Sequence, residues 1–277
     1  MLNMQIQAIT IIGTGNVATH LGKAFLKAGI QINAIVARDQ QKAIALGAVL
    51  NNAPGLLLGD LLPPSDAYII AVKDDAIHEV AKTIAQKDRL LIHCSGASNG
   101  NILDVKGNEF GVMWPMQTLT KNNDVALNQT LIAVSGSNDE TLFAIATLAR
   151  KISERIVEVS ETQRAMLHLS AVWINNYTNH MFVIAEQLLK ENNLDFNLFI
   201  PLIDEHIEKL KTMSADLLQT GPASRGDMVT LNKHRSMLKS HPEIQQLYDV
   251  LAQSVLNIIL KTEVNHGKFR LNRGTPF

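Results

Sequence analysis

A glycine-rich turn near the start of the chain separates an aliphatic run from an amphipathic segment, and it constrains the fold more than any other feature. Residues 6–12 are rich in isoleucine and predict a strand, while residues 16–28 carry apolar side chains at helical spacing. Between them, Gly13, Gly15 and Ala18 form the pattern G-x-G-x-x-A. This order of strand, turn and helix predicts the opening unit of a parallel α/β sheet.

The same turn has the form of a phosphate-binding site. Gly13 permits a tight turn, Gly15 lets the backbone approach a pyrophosphate, and Ala18 is small enough for close packing of helix on strand. Asn16 and Val17 begin the helix, whose N-terminus attracts an anion. We therefore predict that these five residues bind a dinucleotide. The alternative is an α/β protein whose turn binds no ligand.

The first half of the chain alternates aliphatic runs with amphipathic stretches, as repeated strand–helix units do. The predicted fold class is a Rossmann-type doubly wound parallel sheet followed by an all-α C-terminal domain. A weak strand is expected at residues 48–50, and Ser137 with Glu140 predicts a capping box for a helix. Further strands are expected at residues 32–37, 67–72, 90–94, 110–114 and 130–134.

The second half of the chain is expected to contain helices alone. Ser160 and Gln163 form a second predicted capping box, and no strand pattern follows them. We predict a dinucleotide-binding domain at residues 1–155 and an α-helical substrate and dimerisation domain at residues 156–277. The predicted helices cover residues 161–191, 195–213, 227–239 and 241–261.

The end of the second strand favours NADP over NAD. A site for NAD usually places Asp or Glu there, whereas this strand ends at Arg38, 25 positions after Gly13. A guanidinium can bind the 2′-phosphate through two hydrogen bonds. Asp39 beside it leaves open the alternative of a solvated arginine. Val72, Lys73 and Ser95 follow later strands and are expected in the same crevice.

The charge balance excludes nucleic acid and anionic membranes as expected partners. The chain has 25 Lys+Arg against 26 Asp+Glu, a net charge of −1, and no basic cluster, so a small molecule is the expected partner and nucleic acid or membrane is not. One cysteine, Cys94, and no close Cys/His spacing predict neither a disulfide nor a metal site. With no export signal or membrane span, a cytoplasmic protein is expected.

Several motifs together resemble a known family. The glycine turn is joined by residues 69–75 (IIAVKDD), 93–97 (HCSGA), 114–118 (WPMQT) and 220–227 (TGPASRGD). The chain resembles a family of predicted NADP oxidoreductases, related to pyrroline-5-carboxylate reductase and deazaflavin-dependent NADP reductases. The resemblance covers nearly the whole chain and implies a helical domain like that of 6-phosphogluconate dehydrogenase. It also implies, with the apolar helices, a homodimer formed through that domain.

The resemblance also marks a departure in the first long helix of the second domain. Related β-hydroxyacid dehydrogenases carry Lys-x-x-x-Asn there, with the lysine as proton donor and the asparagine as substrate binder. If Asn176 corresponds to that asparagine, Val172 occupies the lysine position. If Asn175 corresponds to it instead, Ala171 occupies the lysine position. A valine or an alanine cannot donate a proton, so that mechanism does not carry over intact.

His168 is the candidate that replaces the missing lysine. It lies eight positions before Asn176, and an imidazole titrates near neutrality, which suits it to protonate a carbonyl or imine as hydride arrives. The alternative is a histidine that satisfies polar groups between packed helices.

Arg225 is a candidate clamp for a substrate carboxylate, or else one half of an Arg–Asp pair within its loop.

Two functions remain open from the sequence. The first is an NADP-dependent oxidoreductase that transfers a hydride between NADP(H) and a small polar carbonyl or imine bound between the domains. The second is a non-catalytic NADP-binding sensor or assembly protein that retains the dehydrogenase fold, because fold alone does not decide activity.

Overall fold

The computed structural model describes residues 5–85, 89–120 and 126–265, with the side chains of the last helix described to residue 259. The chain forms two compact units, Met1–Asn176 and Tyr177–Phe277. The sequence-based domain boundary lies earlier, at residues 155 and 156, so the first unit contains the helix that follows Ser160.

The first unit is built on one eight-stranded sheet, which confirms the predicted Rossmann-type fold class. The strand order is β3-β2-β1-β4-β5-β6-β7-β8, so the chain reverses direction across the sheet at β1. All neighbouring strands are parallel except β6 and β7. The strands are β1 (Ala8–Ile12), β2 (Gln31–Ala37), β3 (Gly55–Leu57), β4 (Ala67–Ile70), β5 (Leu90–His93), β6 (Glu109–Pro115), β7 (Ile132–Gly136) and β8 (Ile156–Glu158).

Helices cover both faces of this sheet, which explains why its central strands are aliphatic throughout. Ile9 and Ile11 of β1 lie in one buried cluster with Phe25, whereas Ile12 lies in a second cluster with Tyr68. The helices of this unit are α1 (Asn16–Lys27), α2 (Gln40–Val49), α3 (Ile77–Ile84), α4 (Asp139–Arg150) and α5 (Glu161–Ala171).

Two local predictions in this unit are wrong, and one short strand was not predicted. Residues 48–50 end helix α2 instead of forming a strand, and the strand in this region is β3. Helix α4 is capped by Asn138, whose side chain accepts from the backbone N–H of Thr141, and not by Ser137. The Ser137 hydroxyl donates instead to Glu109 at 2.6 Å. Strand β8 was not expected, because three residues carry too little pattern to predict it.

The helix that begins after Ser160 has the predicted capping box with Gln163. It does not continue as a uniform helix to residue 191. After α5 the backbone forms a π-helical segment, Val172–Tyr177, before the α-helical geometry returns. Wider turns in this segment change the angular spacing of side chains between His168 and Asn176 from that of an α-helix.

The second unit contains four α-helices among its described residues and no strand, which agrees with the predicted all-α C-terminal region, although the predicted helix 161–191 is divided between α5 and the first of the four. Asp227 caps the third of them by accepting from the backbone N–H of Thr230 at 3.1 Å. Arg235 on that helix donates to Asp249 on the next at 2.7 Å. Within the described chain no helix is long and apolar enough to cross a bilayer. The helices are α6 (Thr178–Glu191), α7 (Ile200–Leu210), α8 (Met228–Met237) and α9 (Pro242–Asn265).

Candidate cofactor-binding crevice

A crevice of about 560 Å³ lies along the carboxyl ends of strands β1, β2, β4 and β5. Its volume falls within the ~300–1,000 Å³ of small-molecule sites, and its place is where open α/β sheets bind ligands. It brings together eight of the nine predicted cofactor residues. These are Gly13, Gly15, Asn16, Val17, Arg38, Val72, Lys73 and Ser95.

Gly13 is required by the protein itself. Its φ is +123°, a conformation that other residues rarely adopt, and a Cβ there would lie 2.1 Å from the carbonyl oxygen of Ala71. The Gly13 N–H donates to the carbonyl of Val36 at 2.8 Å. The tight turn therefore joins the ends of β1, β2 and β4.

Gly15 has a different role, because nothing in the described chain fills the space beside it. A Cβ at Gly15 would meet no heavy atom within 4 Å, and its φ of −79° suits any residue. The following helix has no acidic residue in its first turn. Asn16 turns its side chain away to donate to the carbonyl of Leu119 at 2.7 Å. The open space and the uncapped N–H groups fit a bound pyrophosphate.

Ala18 is the predicted cofactor residue that does not line the crevice. It is fully buried against the sheet, in the same cluster as Ile9. This location agrees with the role in close helix–strand packing for which a small residue is needed.

Two cations lie at the end of the crevice beside β2. Arg38 and Lys42 are exposed and line it, and Lys42 was missed because nothing in its local pattern distinguishes it from a surface lysine. The Asp39 carboxylate caps helix α2 by accepting from the Lys42 N–H at 3.2 Å, and it pairs with the Lys42 ammonium at 3.4 Å. The backbone hydrogen bond lowers the pKa of Asp39. The Asp39 carboxylate therefore stabilises the start of helix α2 and pairs with Lys42.

The opposite end of the crevice is formed after β5 and β6. Ser95, which is buried, and the exposed Gln117 line it together with Leu119. Cys94 also lines it, but burial raises the pKa of this thiol to about 12. Cys94 therefore stays protonated at neutral pH and acts as a small apolar residue.

His168 lies next to the residues at this end without lining the crevice. Its ring is half-buried and meets the Trp114 ring edge-on, with 5.6 Å between centroids and an interplanar angle of 64°. Trp114 in turn covers Gly96, where a Cβ would lie 2.5 Å from the indole. His168 is thus separated from the turn that carries Ser95 by one aromatic ring.

The π-helical segment contacts the residues after β6, some of which line the crevice. Asn175 donates from its amide nitrogen to the Thr118 hydroxyl at 2.6 Å, next to Gln117. Asn176, the predicted substrate binder, is exposed at the end of the first unit. Sequence reasoning preferred Asn176, but the structure brings Asn175 to the segment that lines the crevice.

Arg225 belongs to the second unit and is exposed. It lowers the pKa of Asp227, although the hydrogen bonds from the Thr230 side chain and backbone are the larger causes. Its role as a carboxylate clamp stays a prediction. Among the described residues no group of three or more His, Cys, Asp or Glu side chains is arranged to hold a metal ion.

Two sequence families each match part of the chain. Residues 8–96 match the family described as NADP oxidoreductase, coenzyme F420-dependent. Residues 130–255 match a domain of unknown function, DUF2520. A search of curated proteins found no match.

Three solved structures illustrate the relationship. A reductive aminase from Aspergillus terreus, solved with NADPH and ethyl-5-oxohexanoate, is 14% identical over 95% of each chain, with a TM-score of 0.66. A pyrroline-5-carboxylate reductase from Coxiella burnetii is 12% identical over 93% of this chain and 98% of its own, with a TM-score of 0.54. These two share the fold.

The third structure is similar in sequence as well. It is a "putative NADP oxidoreductase" from Bacteroides fragilis, 32% identical with a TM-score of 0.83. The alignment covers 92% of this chain and 100% of the relative. The resemblance first seen in the motifs is therefore confirmed, and the protein belongs to the family of NADP oxidoreductases.

Proposed function

We propose that this protein transfers a hydride between NADP(H) and a small polar carbonyl or imine. The observation that carries the proposal is the pairing of an open, uncapped helix N-terminus at Gly15 with two cations, Arg38 and Lys42, in one crevice. A pyrophosphate fits the first feature and a 2′-phosphate the second. The family's cofactor is NADP, which agrees with this assignment.

The residues of the chain would divide the work along the crevice. The turn at Gly13 and Gly15 would hold the pyrophosphate, with Asn16 and Val17 beside it. Arg38 and Lys42 would bind the 2′-phosphate, while Val72, Lys73 and Ser95 would line the remainder. When bound, NADPH supplies the hydride, and the chain has only to hold the acceptor and move one proton.

His168 is the proposed proton donor. Its imidazole packs edge-on against Trp114, beside the turn that carries Ser95, and an imidazole is a common general acid in enzymes. Asn176 and Arg225 are the proposed substrate-orienting residues, through an amide and a guanidinium respectively.

Calorimetric titration with NADPH and NADH tests the cofactor assignment. We expect Arg38→Ala to raise the Kd for NADPH about 10–100-fold, since a charge-assisted hydrogen bond contributes about 1.5–3 kcal/mol. Lys42→Ala should act in the same direction with a smaller effect. Neither change should alter the Kd for NADH, which has no 2′-phosphate.

Arg150→Ala and Lys82→Ala are matched controls, because they remove exposed cations on α4 and α3 that do not line the crevice. Equal losses of NADPH and NADH affinity in the Arg38 variant would contradict the 2′-phosphate contact. Absence of NADPH binding by the wild type would contradict the proposed function itself.

The absence of a lysine at Val172 favours a second candidate, a non-catalytic NADP-binding sensor. NADPH oxidation against a panel of carbonyl and imine compounds separates the two functions. Turnover that His168→Ala lowers about 100-fold or more, in line with general acid catalysis, supports the reductase. Tight NADPH binding without turnover across the panel supports the sensor, and turnover unaffected by His168→Ala removes His168 as the acid.

A further inference from the structure

The Ser95 hydroxyl has lost both of its acceptor positions to the backbone. The turn after β5 folds so that the N–H groups of Ala97 and Ser98 donate to Ser95 Oγ, at 3.1 and 3.0 Å. A serine hydroxyl has two acceptor lone pairs and one proton. With both lone pairs engaged, the group offers a ligand in the crevice only a donor.

Gln117 also has side-chain donors, and one of the two lone pairs of its amide oxygen is engaged. Its side-chain oxygen accepts from the Thr118 N–H at 2.9 Å, which sets the orientation of the planar amide. The oxygen thus lies against the backbone, and the NH₂ group, with two donors, is the end that this contact leaves outward. The segment is held in place from helix α1, because Asn16 donates to the carbonyl of Leu119.

His93 holds the turn that orients Ser95. The backbone N–H of Ser95 donates to His93 Nδ1 at 3.1 Å, and the histidine is completely buried at the end of β5. Accepting at Nδ1 requires the tautomer with its proton on Nε2. Burial, with the positive charge of Arg164, lowers the pKa of His93 to about 4, so the ring is neutral and an acceptor at pH 7.

These donors lie far from the cations along the crevice. Arg38 follows β2 and Ser95 follows β5, which are three strands apart in the order β2-β1-β4-β5. At ~4.8 Å per strand, the two strand ends are about 14 Å apart. A ligand that reaches both ends must be extended, with an oxygen acceptor on the part remote from its phosphates.

We infer that Ser95 and Gln117 form a donor pair that recognises a carbonyl or carboxylate oxygen, with His93 as the residue that positions Ser95. The inference rests on the proposed function. The oxygen has two possible sources, the nicotinamide carboxamide and the substrate, and they share one chemistry. A bound amine would find no free lone pair on Ser95 Oγ and only one on the Gln117 amide oxygen, so the pair favours the carbonyl-bearing side of the reaction.

Calorimetry with three probes tests the pair. The probes are NADPH, 2′-phospho-ADP-ribose, which lacks the nicotinamide, and oxamate, which carries carboxylate and carbonyl oxygens and is added to the NADPH-loaded protein. We expect Ser95→Ala to weaken one oxygen-bearing probe about 5–10-fold while 2′-phospho-ADP-ribose binding changes less than twofold. A lower affinity of Ser95→Ala for NADPH would place the oxygen on the cofactor. A lower affinity for oxamate alone would place it on the substrate.

Gln117→Glu tests the donor polarity, because it keeps the shape and replaces the NH₂ donors with an acceptor. It should weaken the same probe at least as much as Gln117→Ala. Ser98→Ala, in the same turn but outside the crevice lining, should bind like the wild type. Unchanged affinity for NADPH and oxamate in Ser95→Ala and Gln117→Glu would overturn the inference. Failure of the wild type to bind 2′-phospho-ADP-ribose would instead overturn the proposed function.

The positioning role of His93 has its own readout. The side-chain oxygen of asparagine can occupy the place of Nδ1, so His93→Asn should keep the wild-type affinities. His93→Leu removes the acceptor and should reproduce the probe-specific loss of Ser95→Ala. Equal affinities in these two folded variants would contradict the positioning role and leave the Ser95 test to stand by itself.

Discussion

At the scale of single residues, the two glycines of the turn are needed for different physical reasons. Gly13 has a positive φ and lies against the Ala71 carbonyl, so the folded chain excludes a side chain there. Gly15 has ordinary backbone geometry and empty space beside it. One pattern of sequence letters thus combines a folding requirement with a binding requirement.

We expect Gly13→Ala and Gly15→Ala to separate these requirements. Gly13→Ala should lower the free energy of unfolding by at least ~1–3 kcal/mol, the cost of the strained backbone alone. Gly15→Ala should change the free energy of unfolding little and weaken NADPH binding. Urea unfolding and calorimetry on the two variants check this. A stable Gly13→Ala protein would contradict the close approach of Ala71.

The buried His93 predicts a dependence of stability on pH. Its pKa is about 4 when folded against 6.5 when exposed, so the unfolded chain binds the proton more tightly. The contribution is fully present above pH 6.5 and is lost as the pH falls towards 4. The loss amounts to about 3 kcal/mol at most, from ~1.4 kcal/mol per unit.

Urea unfolding at pH 7 and pH 4.5 measures this effect against His93→Asn, which cannot titrate in this range. The wild type should lose more stability than the variant over the interval. Equal losses would show that the imidazole is not buried in its neutral form.

At the scale of elements, helix α4 begins at a cap that depends on a distant strand. Asn138 accepts from the Thr141 N–H and donates to Glu109 of β6, which also accepts from the Ser137 and Thr141 hydroxyls. These hydrogen bonds lower the pKa of Glu109. The sequence favours Ser137 as the cap because its spacing to Glu140 is that of a capping box, but Glu109 draws the Ser137 hydroxyl away.

Asn138→Ala should lower the free energy of unfolding by about 1 kcal/mol, the usual cost of a lost N-cap. Asn138→Ser, which keeps a cap oxygen, should lose less. Thermal unfolding followed by circular dichroism compares the two variants. Equal losses in the two variants would mean that the contact with Glu109, which both remove, outweighs the cap.

At the scale of the whole molecule, the helical unit has more apolar surface than its own chain covers. Helices α6 and α7 contain no buried residue, and on α7 Leu202 is 59% exposed and Ile207 50%. Val229 on α8 is 83% exposed. Exposed apolar side chains in this number are typical of a helical unit that packs against a partner. This observation supports the expected homodimer, which stays a prediction.

Light scattering after size exclusion should give twice the chain mass of 30.4 kDa, about 61 kDa. Leu202→Glu combined with Ile207→Glu should shift the protein towards monomer, because two buried charges in an apolar interface are costly. A wild-type monomer at micromolar concentration would contradict the prediction.

The sequence by itself determined the features that depend on short stretches of chain. The aliphatic β1, the glycine turn, the first helix and Arg38 at the end of β2 all follow from periodicity and spacing within about 30 residues. The same holds for the capping box that Ser160 forms with Gln163. Local hydrogen bonds and side-chain alternation are enough to produce them.

Only the tertiary structure decided features that join distant parts of the chain. The antiparallel pairing of β6 with β7, the contact of Asn175 with Thr118 and the entry of Lys42 into the crevice leave no local pattern. The donor polarity of Ser95 was hidden for a related reason: a hydroxyl can donate or accept, and only the fold of its turn assigns its lone pairs. Chemistry of this kind depends on which groups meet, and that is settled by packing.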